Sequence, residues 1–139
     1  MKAYLDSSVV LRRTLDEPGA IRNWSQWELV IASELMRVEG FRAIDRLRIV
    51  GGLRDAQTAE LIDSLRQLIS GVHEIAIHSA VLRRATAPFS SVVTTLDAIH
   101  IATALMWMED QDEPLVFVTH DAQQAVAARL AGLEVRTAP

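Results

Sequence analysis

A chain of 139 residues with a formal net charge of −4 is too short for several domains and too acidic to coat nucleic acid through a broad basic face. It has no cysteine, which excludes disulfides, thiolate zinc sites and thiol nucleophiles. Half the residues are hydrophobic and 23% are charged, an ordinary globular balance, and Asp97 and His100 interrupt the best candidate for a membrane span.

Taken in order, the chain starts with a short apolar run, Lys2-Ala3-Tyr4-Leu5, closed by Asp6. A carboxylate this early rules out a secretory signal, so a cytoplasmic protein is expected. Further strands are predicted near 28–32, 73–77, 115–119 and 134–136. Helices are predicted near 7–13, 19–26, 33–50, 55–70, 79–86, 97–109 and 121–131. Turn residues mark the cuts: Pro18-Gly19 between the first two helices, Gly51-Gly52 after the third, Gly71 before the third strand and Gly132 after the last helix. Short apolar strands between amphipathic helices indicate an α/β domain, residues 1–139, on a parallel sheet covered on both faces.

In such a sheet, ligands bind outside the carboxyl ends of the strands. Asp6 and Asp121 each follow a predicted strand and so belong on that edge. Asp97 starts the apolar helix Asp97-Ala98-Ile99-His100-Ile101-Ala102-Thr103-Ala104, on a face shared with Ile101, Ala104 and Met108. Glu39 lies between Leu35 and Ala43 on an apolar-flanked helix face. Each acid has a plainer account. Asp6 and Asp121 could cap helices, Asp97 could form a capping box with Thr94, and Glu39 could pair with Arg42 or Arg46. Those accounts predict no common location, whereas strand-end placement predicts one for at least two of the four. Oxygen ligands converging on a cleft suit a hard divalent cation. The four acids also equal the whole excess of 18 acidic over 14 basic residues, which leaves an arginine-lined path for RNA open.

These residues carry a resemblance. Tyr4-Leu5-Asp6-Ser7-Ser8, Ser33-Glu34-Leu35 with Val38-Glu39, Leu96-Asp97-Ala98-Ile99-His100-Ile101-Ala102-Thr103-Ala104 and Val118-Thr119-His120-Asp121 occur in the order found in PIN-domain ribonucleases. The chain resembles in particular the VapC-type toxins of type II toxin–antitoxin pairs. The resemblance implies a three-layer α/β/α sandwich on a sheet of about five parallel strands in the order 3-2-1-4-5. It also implies Mg²⁺- or Mn²⁺-dependent RNA cleavage, a homodimer and a small antitoxin partner. Asp6, Glu39, Asp97 and Asp121 become the expected catalytic set, with Asp6, Asp97 and Asp121 on the metal. Glu39 would orient or deprotonate the attacking water, or bind a second ion, while Ser7 and Thr119 would fix the carboxylates by hydrogen bonds.

The alternatives are a PIN nuclease of RNA processing without an antitoxin, and a non-catalytic PIN-fold binding module. A receiver or haloacid-dehalogenase type of phosphoryl transfer is disfavoured, because Lys2 is the only lysine and Asp6-Ser7-Ser8 lacks a second acid. A nucleotide-binding module is disfavoured because Gly51-Gly52 follows a helix and not a strand. His73, His78, His100 and His120 are assigned to core or surface, with no catalytic role; His120 is expected to touch the rim of the site. Trp24, Trp27 and Trp107 are expected to pack, or to meet a second copy, and Arg12, Arg13, Arg37 and Arg42 flank the elements that carry Asp6 and Glu39.

Overall fold

A computed structural model describes residues 1–137. Five strands, β1 (Lys2–Leu5), β2 (Leu29–Ser33), β3 (His73–Ile75), β4 (Leu115–Thr119) and β5 (Glu134–Thr137), form one sheet in the order β3-β2-β1-β4-β5. Every pairing is parallel, with Lys2 opposite both Leu29 and Leu115. Six helices surround it: α1 (Ser7–Thr14), α2 (Leu35–Val50), α3 (Asp55–Ser70), α4 (Ser79–Ala85), α5 (Thr95–Gln111) and α6 (Ala122–Leu130).

The period-2 alternation of the central strands builds two cores. Ala3, Leu5, Val30, Ala32, Val116 and Val118 point into the layer that holds Val9 and Val10 of α1, Met36 and Ile44 of α2, and Leu65 and Ile69 of α3. Tyr4, Ile31, Leu115 and Phe117 point the other way, onto Ile101, Ala104 and Leu105 of α5 and Ala127 and Ala128 of α6. Because both faces of β1 and β4 are covered, these strands read as unbroken apolar runs. The result is the three-layer sandwich with the strand order expected from the motifs.

Three local expectations are corrected. No α-helix forms over 19–26; a single 3-10 turn, Trp24–Gln26, takes its place. Gly19 is left-handed at φ 80°, the Trp24 indole donates to the Ile21 carbonyl, and the Gln26 amide donates to the Asn23 carbonyl. Side chains of Trp24 and Gln26 thus occupy carbonyls that a helical ladder would use. Strand β3 stops at Ile75, short of 77, because the Ile77 N–H turns to Glu34 Oε1 at 2.9 Å. Helix α5 begins at Thr95, so Asp97 lies inside its first turn, behind the N-cap Thr94, whose Oγ accepts from the Asp97 N–H at 3.4 Å.

The tryptophans pack. Trp27 is buried in the core beneath α1–α3, Trp24 lies against that core, and Trp107 lies against the other. The Lys2 ammonium stands 5.6 Å from the centroid of the Trp107 ring.

Candidate active site at the carboxyl edge of the sheet

The chain runs β1-β2-β3 to one side of the sheet and then returns to place β4 and β5 on the other. Such a reversal opens a crevice at the carboxyl ends of the two central strands. Asp6 stands there, with its N–H bonded to the Val118 carbonyl of β4 at 3.0 Å. Asp6 is 5% exposed, and two donors hold its carboxylate. Oδ2 accepts from the Ser8 N–H at 3.0 Å, which caps α1, and lies 3.4 Å from Thr119 Oγ1. Oδ1 accepts from Gln124 Nε2 at 3.0 Å.

Asp121 follows β4 and caps α6, Oδ1 accepting from the N–H groups of Gln123 at 2.8 Å and Gln124 at 3.0 Å. Capping and convergence are therefore not rival accounts of these acids: the cap is what aims the carboxylate at the edge. Thr119, fully buried, accepts from the Asp121 N–H at 3.0 Å and donates to Gln124 Oε1 at 2.7 Å. It ties the two strand-end acids together through one side chain.

Asp97 joins them from α5. Its carboxyl is held above the ordinary range, first by partial burial and then by the negative charges of Asp6 and Asp121, against the lowering effect of a Thr94 hydrogen bond and His100. The charges of Asp6 and Asp121 thus reach Asp97 across this edge.

Glu39 arrives from the opposite layer. It makes no pair with Arg42, whose guanidinium binds Asp45 at 3.1 Å. Glu39 Oε1 instead accepts from Ser7 Oγ at 2.7 Å and faces His100 Nε2 at 2.7 Å. An ionised carboxylate only accepts, so the proton of the imidazole sits on Nε2. On the other side of the ring, Nδ1 shares a 2.7 Å hydrogen bond with the Tyr4 hydroxyl, which accepts from the Ser33 N–H at 3.2 Å. Burial by itself lowers the His100 pKa; the Glu39 hydrogen bond and the charges of Asp6, Glu39 and Asp97 outweigh it and raise it above the usual value.

His100, at 1% exposure, is thus in the core as expected, but it bonds to the acid cluster, which the sequence reading did not anticipate. Gln124 was also missed. A signal for both existed in the spacing: His100 follows Asp97 by three residues, and Gln124 follows Asp121 by three, each on the acid's own helix face. At the rim, Arg12 Nη1 stands 3.1 Å from His120 Nδ1, and the His120 N–H binds Ser8 Oγ at 3.1 Å. Arg37 is engaged with Glu74 on the surface.

Among the described residues, no three histidine or acidic side chains form a closed metal-binding group. The donor chemistry nevertheless fits a hard cation. The carboxylates that follow β1, open α5 and cap α6 act on one another's charge. Such a set suits an ion that keeps several of its waters and takes few protein ligands, as Mg²⁺ does.

The Tyr4 hydroxyl supports this assembly from below, and its removal should be measurable. In Tyr4→Phe the Ser33 N–H and His100 Nδ1 lose a buried partner, which should destabilise the fold by about 1–3 kcal/mol. A thermal melt should show a loss of roughly 5 °C. A melt equal to wild type would mean that the hydroxyl supports nothing.

No family model and no curated relative matches the sequence. Solved structures do. The chain is similar to VapBC2 from Rickettsia felis, solved bound to a DNA fragment from its promoter, with a TM-score of 0.67, 12% identity and full coverage of both chains. The fold is PIN-like. The same PIN-like fold is seen in PAE2754 from Pyrobaculum aerophilum, with a TM-score of 0.65, 19% identity and coverage of 97% of this chain and 83% of that one. It recurs in FitAcB from Neisseria gonorrhoeae, with a TM-score of 0.61, 18% identity and coverage of 96% and 95%. Identities this low carry the PIN-like fold and nothing more specific. No helix among the described residues is long and apolar enough to cross a membrane.

Proposed function

We propose that this chain is a metal-dependent endoribonuclease and acts as the toxin of a toxin–antitoxin pair, with Mg²⁺ or Mn²⁺ as cofactor. The activity is supported by the placement of Asp6, Asp97 and Asp121 within reach of one another's charge beside β1 and β4, and by Glu39 of α2 bonding to His100. The toxin role is supported by the motif order in the sequence together with likeness to structures named VapBC. A small antitoxin and a second copy of the chain are the partners proposed on the same grounds.

Phosphodiester hydrolysis needs an activated water, neutralisation of charge on the phosphorus and help for the leaving oxygen. A divalent ion at this edge supplies Lewis-acid neutralisation and a water of lowered pKa. Asp6, Asp97 and Asp121 would hold it, while Ser8 and Gln124 keep Asp6 from turning away. Glu39 accepts the proton of the attacking water, or orients that water, and Ser7 fixes the oxygen opposite. Arg12, beside His120 at the rim and 3.7 Å from Glu17, would meet RNA phosphate.

Cleavage of RNA should require added Mg²⁺ or Mn²⁺ and leave 5′-phosphate ends, since water attacks and the 2′-hydroxyl does not. Expression alone should arrest growth. Undiminished cutting in excess EDTA, or 2′,3′-cyclic phosphate ends, would overturn the mechanism. Harmless expression of a protein that cuts RNA when purified would leave a processing nuclease in place of a toxin.

A further inference from the structure

We propose that His100 is a positioning residue for Glu39, holding its carboxylate above the sheet edge in the orientation that hydrolysis uses. The proposal rests on the nuclease reading of the site. Glu39 is a long side chain on a helix at the lip of the crevice, 24% exposed, and left to itself would sample several rotamers at an entropic cost to any fixed geometry. One of its oxygens is instead gripped twice, by Ser7 Oγ and by His100 Nε2, both at 2.7 Å.

The grip is rigid because its other end is rigid. His100 is 1% exposed, its Nδ1 bonded to Tyr4, and Tyr4 is fully buried with its hydroxyl bonded to the Ser33 main chain. A main-chain N–H in the sheet is thus linked through two buried rings to an acid at the surface. The link also crosses layers: His100 belongs to the α5 side of the sheet and Glu39 to the α2 side. His100 Nε2 lies 2.7 Å from Glu39, 3.0 Å from Ser7 Oγ and 3.7 Å from Asp6, and Asp97 stands one turn earlier on the same helix. A single helix thus contributes one acid of the cluster and the donor that holds another.

The test is a double-mutant cycle on cleavage of random-sequence RNA oligomers in Mn²⁺, using His100→Leu, Glu39→Gln, their combination, and His100→Gln. His100→Leu should lower kcat about 100-fold, the scale of a displaced general base, with KM changed less than about threefold because RNA binding is untouched. In the Glu39→Gln background the same change should cost less than about threefold, since the two residues act as one unit. His100→Gln, whose Nε2 can reach the place of the imidazole Nε2 and donate to Glu39, should stay within about tenfold of wild type. Apart from activity, the His100 Nε2–H should give an exchange-protected proton resonance that moves in Glu39→Ala. Where His100→Leu does not fold, His100→Asn replaces it, since its shorter amide reaches Tyr4 and not Glu39.

Equal losses in both backgrounds, or a folded His100→Gln as poor as the variant lacking the donor, would overturn the positioning role while leaving the nuclease standing. A wild type that cuts no RNA while the Nε2–H signal persists would overturn the nuclease reading, and the positioning role with it.

Discussion

Asp97→Asn should abolish RNA cleavage yet leave the metal-free protein at least as stable as wild type. The Asp97 carboxyl is raised by burial and then by the charges of Asp6 and Asp121, so its ionised form is disfavoured in the fold. Two carboxylates about 5 Å apart at an effective dielectric of about 20 repel by roughly 3 kcal/mol before solvent screening. Asparagine removes that repulsion and keeps an acceptor for Thr94. The helix cap is unaffected, because it runs from the Asp97 main-chain N–H to Thr94 Oγ. Mg²⁺ should stabilise wild type through binding linkage, by about 2.7 kcal/mol when the ion is at 100 times its Kd, and so raise its melting temperature. The variant should respond much less. Thermal melts of both proteins with and without Mg²⁺ decide the matter: equal shifts, or an unfolded variant, would make Asp97 a structural residue.

Asp6→Asn should also stop cleavage, but at the expense of the fold. Both oxygens of Asp6 are already used, Oδ1 by Gln124 Nε2 and Oδ2 by the Ser8 N–H, each at 3.0 Å. Asparagine offers one acceptor and one donor, so in either orientation a donor faces a donor. Gln124 cannot easily turn round to relieve it, since its Oε1 takes the Thr119 hydroxyl proton at 2.7 Å. A buried donor left unpaired costs about 1–3 kcal/mol, or roughly 3–10 °C in the melt of a domain of this size. The contrast between the two variants is the informative result. Asp97 contributes charge to an assembled edge, whereas Asp6 also holds the edge together. A melting temperature for Asp6→Asn at or above that of wild type would mean that relief of repulsion outweighs the lost hydrogen bond.

Period and punctuation in the sequence were enough to locate most of this architecture. Strands β1 and β4 stand where their apolar runs place them, and Gly132, left-handed at φ 97°, ends α6 as its position after the last periodic residue requires. Asp6, Asp97 and Asp121 were likewise visible beside element boundaries, and a parallel sheet sends the two strand-end acids, Asp6 and Asp121, to one edge. What a one-dimensional pattern could not decide was which side chains answer those acids. Glu39 looked available to Arg42 one turn away, yet it bonds to Ser7 and His100, 32 and 61 residues distant in the chain. His100 and Gln124 read as an ordinary core residue and an ordinary helix residue until β1, α2, α5 and α6 were packed together. Local periodicity is set by backbone geometry and burial, which each segment carries with it. Hydrogen-bond partners across layers are set by which helix crosses which strand end, and only the tertiary structure decides that.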